Sequence, residues 1–228
     1  MARNFWLGIG VTIASSGCAA ASLSVDDVSQ GVEADGSSRS TAKALGCPVS
    51  GGHSVTLQGA AVVSDARIDG LHKTTNYGAD PDLIVRKNVS ALLRWDLQNI
   101  PPNAKITGAC LVLTVQDPSV RTFEAYAVAR PWTATGATWK SAAHGSAWAR
   151  AGASHTSDRG ELAVATFQRS TSGLFGTPLA TELVQKWVSD AASNNGIAIT
   201  NRAAHDGISF TSSEAPVGPA LMVFYDAP

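Results

Sequence analysis

The sequence predicts an all-β fold: a jelly-roll-like β-sandwich that carries one short α-helix. Most segments after residue 55 alternate apolar and polar side chains with a period of two, which buries one face of an extended strand. The 21 glycines and 10 prolines supply turns between these segments. Only one segment has helical spacing. Many short strands beside a single helix favour two packed sheets.

The N-terminus has the layout of a secretory signal peptide. Arg3 provides a positive charge, residues 5–14 are apolar, and small residues follow. The run before Cys18 resembles a bacterial lipobox, although Ser15 stands where leucine is usual. We therefore predict a signal peptide over residues 1–18 and a lipid on Cys18, which would tether the chain to the bacterial envelope without spanning the membrane. Ordinary cleavage and secretion is the alternative.

A flexible linker is predicted over residues 19–55, which are rich in Ser, Gly, Ala and Asp and contain no Phe, Trp or Tyr. The sandwich domain then covers residues 56–228. An exported chain meets an oxidising compartment, so one expectation is a disulfide between Cys47 and Cys110. The other is that Cys110 is a small buried strand residue.

Nine segments of the domain are predicted strands. In one of them Leu93, Trp95 and Leu97 share a face, and in the next the apolar face begins at Ala109 and ends at Val115. The predicted strands are residues 57–65, 83–86, 90–97, 106–115, 123–129, 162–167, 196–200, 207–211 and 220–225.

The one predicted helix begins at Thr177-Pro178, because Thr is a good N-cap and Pro is tolerated in the first turn. Leu179, Leu183 and Trp187 then recur at helical spacing. The run Asn194-Asn195-Gly196 is expected to end it, since these residues tolerate positive φ.

Five short motifs give the chain a resemblance to a known family. They are Thr75-Asn76-Tyr77-Gly78 with Leu83-Ile84-Val85, Leu92-Leu93-Arg94-Trp95-Asp96-Leu97 with Ile100-Pro101, Trp132 with Thr138-Trp139, Leu183-Val184-Gln185-Lys186-Trp187 with Asn195-Gly196-Ile197, and Phe210-Thr211-Ser212-Ser213-Glu214 with Pro219-Ala220-Leu221. In this order they resemble DNRLRE-domain proteins, the group that includes carbohydrate-binding module family 96. The resemblance covers about residues 58–226, although the literal DNRLRE string is absent.

The shared motifs argue for fold more than for ligand binding. We expect Trp95, Trp132, Trp139 and Trp187 to be core anchors, since each can bury a large apolar area. Trp148 lies outside the motifs, in a loop rich in small residues. It is either an exposed platform for a neutral glycan or a loop anchor packed on the sandwich.

The resemblance implies a polysaccharide ligand, since characterised members of the binding family recognise acidic polysaccharides, notably alginate. Cationic side chains on one open face would suit such a chain, because Arg binds carboxylates through two hydrogen bonds and Lys acts as a point charge. The candidate ligand-binding residues are Arg67, Lys73, Arg86, Lys87 and Arg202. A second hypothesis is a structural or adhesive cell-surface lipoprotein domain without a glycan ligand.

Other function classes find little support. The formal net charge is −1, which gives no long-range attraction to nucleic acid. The sequence lacks the serine-hydrolase, zinc-protease and phosphate-loop motifs, and we expect no enzymatic activity. No cofactor is predicted, although a structural calcium ion held by oxygen ligands is left open. The candidate calcium ligands are Asp65, Asp69, Asp80 and Asp82. We expect a monomer.

Overall fold

A computed structural model describes residues 35–201 and 205–228 of the chain. It contains two antiparallel sheets, which confirms the predicted all-β sandwich. The first sheet has six strands: β1 (His53–Gln58), β3 (Asp82–Val85), β5 (Lys105–Asp117), β10 (Gly173–Pro178), β12 (Ile208–Thr211) and β13 (Ala220–Asp226). They follow the order β1–β13–β5–β12–β3, and β10 pairs with β5 from its other side.

The second sheet has five strands and faces the first. They are β2 (Val63–Asp69), β4 (Val89–Trp95), β6 (Ser119–Val128), β9 (Arg159–Arg169) and β11 (Ile197–Thr200), in the order β2–β4–β11–β6–β9. A small hairpin joins β7 (Ser141–Ala143) to β8 (Ser146–Ala147). The helices are α1 (Asp35–Ala44), α2 (Thr181–Ser189) and a short 3₁₀ helix (Ala191–Ser193). No helix among the described residues is long and apolar enough to cross a bilayer.

The main core lies between the two sheets, where the period-2 pattern of the sequence puts it. Leu93, Trp95 and Leu97 all belong to this core, as does the face of β5 from Ala109 to Val115. Helix α2 closes one end of the sandwich with Val184, Trp187 and Val188. The predicted apolar faces of these strands are therefore confirmed, whereas of Leu179, Leu183 and Trp187 only Trp187 is a buried residue of the helix.

Both outer faces of the sandwich also carry apolar clusters. On the first sheet, Cys110, Val112 and Met222 pack under α1 and the residues that follow it. On the second sheet, Ile68 and Leu92 pack under the long connection between β6 and β9. We call this connection, residues 129–158, the covering loop. Strand β5 is consequently buried on both faces along most of its length.

The predicted linker is wrong for its C-terminal part, residues 35–55. Helix α1 lies against the first sheet, where Ala42 is fully buried and the Ser38 and Thr56 hydroxyls form a buried 2.8 Å hydrogen bond. A disulfide joins Cys47 to Cys110, so the first of the two cysteine hypotheses is correct. The small side chains that made this segment look disordered allow close packing of the helix. The signal peptide, Cys18 and the linker up to residue 34 lie outside the described residues.

Two of the predicted strand and helix boundaries are also corrected. The segment 57–65 is two strands, because Gly59 adopts a positive φ of 88° and turns the chain from β1 in one sheet to β2 in the other. Thr177 and Pro178 do not begin the helix. They end β10, a strand that the sequence analysis missed, and α2 begins at Thr181 without a side-chain cap.

A buried carboxylate connects β2 to the loop that follows β12. Asp65 is 2% exposed, and its Oδ2 accepts a 2.7 Å hydrogen bond from Ser213 N, whereas Oδ1 has no partner. Burial raises the pKa of Asp65 to about 6, despite the hydrogen bond from the Ser213 amide, and the charge of Glu214 adds to the rise. The ionised carboxylate therefore destabilises the fold.

Replacing Asp65 with Asn removes this pH-dependent cost. The wild-type penalty is absent below the usual pKa of 3.8 and grows as the pH rises through about 6, to about 3 kcal/mol. The free energy of unfolding of Asp65→Asn, relative to wild type, should improve by this amount between pH 4 and pH 8 in urea titrations. A constant difference across that range would contradict the raised pKa.

The disulfide should contribute strongly to stability. It closes a loop between residues 63 positions apart, and the chain-entropy relation gives about 4 kcal/mol for such a loop. We expect Cys47→Ala/Cys110→Ala to unfold at a lower denaturant concentration, and reduced wild-type protein to behave likewise. Equal midpoints for the oxidised and reduced protein would show that α1 stays docked without the bond.

Candidate carbohydrate-binding site

The outer face of the second sheet is apolar beneath the covering loop and polar beyond it. The polar part carries Glu124 and Tyr126 from β6, Thr200 from β11 and Arg159 from the start of β9. Tyr126 Oη donates a 2.7 Å hydrogen bond to Glu124 Oε2. The guanidinium carbon of Arg159 lies 4.2 Å from the centre of the Tyr126 ring, and Arg159 Nη1 lies 3.4 Å from Thr200 Oγ1.

Two pockets open on this polar surface and meet at Arg159. The first has a volume of about 260 Å³, and we call it the Trp139 pocket after its aromatic wall. The second, of about 280 Å³, is the Tyr126 pocket. Ser154 and Arg159 line both, so together the two pockets form one cleft, which we call the outer cleft. Arg159 is only 4% exposed and lies between the pockets.

Trp139 differs from the other three tryptophans of the shared motifs. Trp95, Trp132 and Trp187 are at most 2% exposed, as expected for core anchors, whereas Trp139 is partly exposed. Its indole lies against Gly152, where a Cβ atom would approach within 2.5 Å of the ring. Gly152 therefore has to be glycine for the ring to form the wall of the pocket.

Trp148 is the buried loop anchor and not an exposed platform. It is 4% exposed, and its Nε1 donates a 2.9 Å hydrogen bond to the Thr138 carbonyl. Trp132 is fixed similarly through a 2.8 Å hydrogen bond to Asn195 O. These two rings pack the covering loop onto the sheet and leave Trp139 at its edge, facing the outer cleft.

A single carboxylate ties the covering loop together. Asp158 is fully buried and accepts hydrogen bonds from Arg130 Nε at 2.9 Å, Ala149 N at 2.8 Å and Arg150 N at 2.9 Å. Burial alone would raise the pKa of Asp158, but the hydrogen bonds and the positive charge of Arg130 together hold it below its usual value of 3.8. Asp158 precedes Arg159, so it fixes the loop at the point where the outer cleft begins.

Two of the predicted ligand-binding cations belong to segments that pass beside the Trp139 pocket. Gly70 contacts both Asn88 and Trp139, which brings the chain leading to Lys73 beside the turn that carries Lys87. The backbone N–H of Lys140, the residue after Trp139, donates to Lys73 O at 3.2 Å. Lys73, Lys87 and Lys140 are all exposed.

The remaining predicted cations differ in exposure and in the contacts that they make. Arg86 is exposed at the same turn as Lys87. Arg67 is not offered to a ligand, because it forms a 2.8 Å ion pair with Asp80 and lies 4.0 Å from the centre of the Tyr77 ring, with a side chain only 13% exposed. Arg202 follows the pocket residue Asn201 in sequence but lies outside the described residues.

The candidate calcium ligands do not converge. Asp65 bonds to Ser213, Asp69 accepts from Leu71 N at 2.8 Å, and Asp80 pairs with Arg67. Within residues 35–201 and 205–228, no group of three or more His, Cys, Asp or Glu side chains could hold a metal ion. The four aspartates therefore do not form a common metal site among the described residues.

A larger cavity of about 530 Å³ lies at the end of the sandwich beside α2. Its one cationic wall residue, Arg94, already donates to Trp132 O at 3.2 Å and lies 5.4 Å from the Trp132 ring centre. The exposed carboxylate of Asp96 lines the same cavity. This cavity is therefore less suited to an anionic chain than the outer cleft.

Sequence reasoning missed Arg159, Tyr126 and the exposure of Trp139. Tyr126 belongs to a correctly predicted strand, and period 2 places it opposite the buried Phe123 and Ala125, so its outward direction was available from the sequence. Arg159 lies before the predicted strand 162–167, whereas β9 begins at Arg159 itself. Only the folded path of the covering loop shows that these side chains meet.

Comparison with known proteins decides the family. The model of carbohydrate-binding module family 96 matches residues 57–225. The chain belongs to this family. The match agrees with the span of the sequence resemblance, about residues 58–226. A search of curated proteins gives no match.

Membership of carbohydrate-binding module family 96 makes carbohydrate the ligand class of this domain. Most of the motifs shared with the family serve packing in the structure: Leu93, Trp95 and Trp187 belong to the main core. Trp139 belongs both to a motif and to the outer cleft. The outer cleft is consequently our candidate for the carbohydrate site.

Asp158→Asn should loosen the covering loop. Removing one partner from a buried, charge-assisted network costs about 3 kcal/mol near neutral pH. Because the folded pKa is depressed, the wild-type advantage is present above the usual pKa and is lost as the pH falls through the folded value. Thermal unfolding of both proteins between pH 7 and pH 2.5 measures this convergence.

A matched control is Asp190→Asn, which removes an exposed carboxylate that contacts only its own 3₁₀ helix. It should change the melting temperature little at any pH. If Asp158→Asn were equally silent at pH 7, the covering loop would not depend on this carboxylate.

Proposed function

We propose that this domain is a non-catalytic module that binds an acidic polysaccharide, such as alginate, in the outer cleft. The observation that supports this most strongly is a partly exposed tryptophan in a pocket around which segments with exposed lysines meet. Arg159 and Trp139 line the pocket, and Lys73, Lys87 and Lys140 belong to the segments that meet around it.

Each part of the pocket suits a different part of a uronate. The face of a sugar ring is apolar and packs on an indole, while its hydroxyls require hydrogen-bonding partners at the edges. Asn88, Ser90 and Asn201 line the pocket and can meet hydroxyl groups. The exposed ammonium groups of Lys73, Lys87 and Lys140 can act as point charges for its carboxylates.

The surrounding cations support attraction of a polymer rather than of a single sugar. From residue 56 onward the chain has 14 Lys and Arg and 14 Asp and Glu, so its net charge gives no general attraction. Local groups such as Arg86 and Lys87 act over about 8 Å at physiological ionic strength. A polyanion that passes the outer cleft would meet several of them in succession.

We further propose that the module works outside the cytoplasm and is held at the cell envelope through a lipid on Cys18. The signal-like N-terminus motivates this proposal, and the Cys47–Cys110 disulfide supports it because such bonds persist in oxidising compartments. Mass spectrometry of the mature N-terminus tests it: a diacylglycerol on Cys18 is the expected result, and an unmodified N-terminus beyond residue 18 would reject the anchor.

Charge removal beside the outer cleft should weaken binding to alginate. Arg86→Ala/Lys87→Ala deletes two exposed cations next to Asn88, and we expect about a ten-fold lower affinity, or about 1.4 kcal/mol. Affinity-gel electrophoresis in alginate at two salt concentrations measures both the affinity and its screening. Binding by wild type should fall as salt rises.

The control variant Lys105→Ala/Lys186→Ala removes the same charge at the other end of the sandwich, where both side chains are exposed. It should retain wild-type affinity. Equal losses in the two variants would mean that net charge rather than the outer cleft governs retention. No retention by any acidic glycan would favour the structural or adhesive role instead.

A further inference from the structure

The two pockets of the outer cleft have different chemistry. Asn88, Ser90, Trp139, Thr200 and Asn201 are among the residues that line the Trp139 pocket, and no carboxylate lines it. The Tyr126 pocket has Glu161 in its wall, together with Tyr126, His155 and Thr156. Arg159 lines both pockets, so the difference in charge between them is the Glu161 carboxylate of the Tyr126 pocket.

The Tyr126 pocket has a second carboxylate beside it. Glu124 accepts the Tyr126 hydroxyl hydrogen bond at 2.7 Å, so a second carboxylate lies next to the pocket. His155 Nδ1 accepts a hydrogen bond from Ser157 N at 3.2 Å. An imidazole nitrogen can form a hydrogen bond with a hydroxyl or an amide group of a sugar.

The size of the pockets indicates one sugar ring in each. Volumes of about 260 and 280 Å³ lie just below the roughly 300–1,000 Å³ of sites that enclose a drug-sized ligand. Both pockets touch Ser154 and Arg159, so consecutive sugars of one chain can occupy them.

We propose that the outer cleft recognises a polysaccharide in which a uronate alternates with an uncharged sugar. The uronate occupies the Trp139 pocket, and the uncharged sugar occupies the Tyr126 pocket beside Glu161. This inference rests on the proposed function and narrows its ligand. A homopolymer of uronates places a carboxylate in both pockets, and the second one is repelled by Glu161 and Glu124.

The test compares two acidic polymers with wild type and two variants. Hyaluronan alternates a uronate with an uncharged N-acetylated sugar, alginate is made of uronates alone, and dextran is the neutral control. We expect tighter binding to hyaluronan than to alginate by about ten-fold, from the loss of one like-charge contact. Isothermal titration with size-matched oligosaccharides measures it.

Glu161→Gln identifies the cause of the preference. It removes the negative charge of the Tyr126 pocket and should raise the affinity for alginate several-fold while leaving that for hyaluronan unchanged. Glu182→Gln removes an exposed carboxylate from α2 and should change neither affinity.

The outcomes separate this inference from the function on which it rests. Wild type that binds alginate as tightly as hyaluronan overturns the alternation and leaves acidic-glycan binding intact. A preference for hyaluronan that survives Glu161→Gln overturns the role of the Tyr126 pocket. Binding to neither acidic polymer rejects the proposed function itself.

Discussion

The candidate site depends on how the outer face of the second sheet is covered. That face is apolar at Ile68, Leu92 and Ala198, and an apolar surface of this kind has to be removed from water. The covering loop does so with Trp132 and Trp148. It is irregular for most of its length, so its polar backbone needs partners, and the buried carboxylate of Asp158 accepts two of its amide protons. The cleft lies where this cover ends.

This arrangement explains why one motif tryptophan differs from the others. Three indoles fill the main core or the interface beneath the loop, where their burial stabilises the fold. Trp139 comes at the rim of the same loop and keeps part of its ring in contact with solvent. Packing thus presents it towards the pocket, and Gly152 provides the necessary space. The fold and the candidate site share the covering loop, so a substitution there can affect both.

Much of the fold could be predicted from local pattern. Period-2 alternation identified the inward faces of β4 and β5, since residues such as Leu93 and Leu111 are buried against the opposite sheet. Prediction failed where a long-range contact overrides local preference. Helix α1 has few large apolar residues and depends on the disulfide and on burial against β13. Strand β10 ends in a proline that resembles a helix start, yet Pro178 pairs with Cys110.

The residues of the candidate site were harder to predict from local sequence pattern. Candidate cations could be chosen from the sequence, and Lys73 and Lys87 do belong to segments that meet. Arg67, however, forms an ion pair with Asp80, and this pairing is visible only in the folded structure. Arg159 is far in sequence from Tyr126, with 32 intervening residues. The two side chains stack because the covering loop returns the chain to the second sheet at Arg159. Side chains contributed by strands β4, β6, β9 and β11 cannot be assembled without the order of those strands.

The disulfide has a mechanical consequence when the two ends of the chain are pulled apart. Cys47 precedes β1, whereas Cys110 lies in β5, the strand that pairs with three others in the first sheet. A pull between the two ends of the chain passes through the sulfur atoms and bypasses residues 48–109. Strands β1 to β4 therefore lie outside the path of a force that is applied between the two ends of the chain.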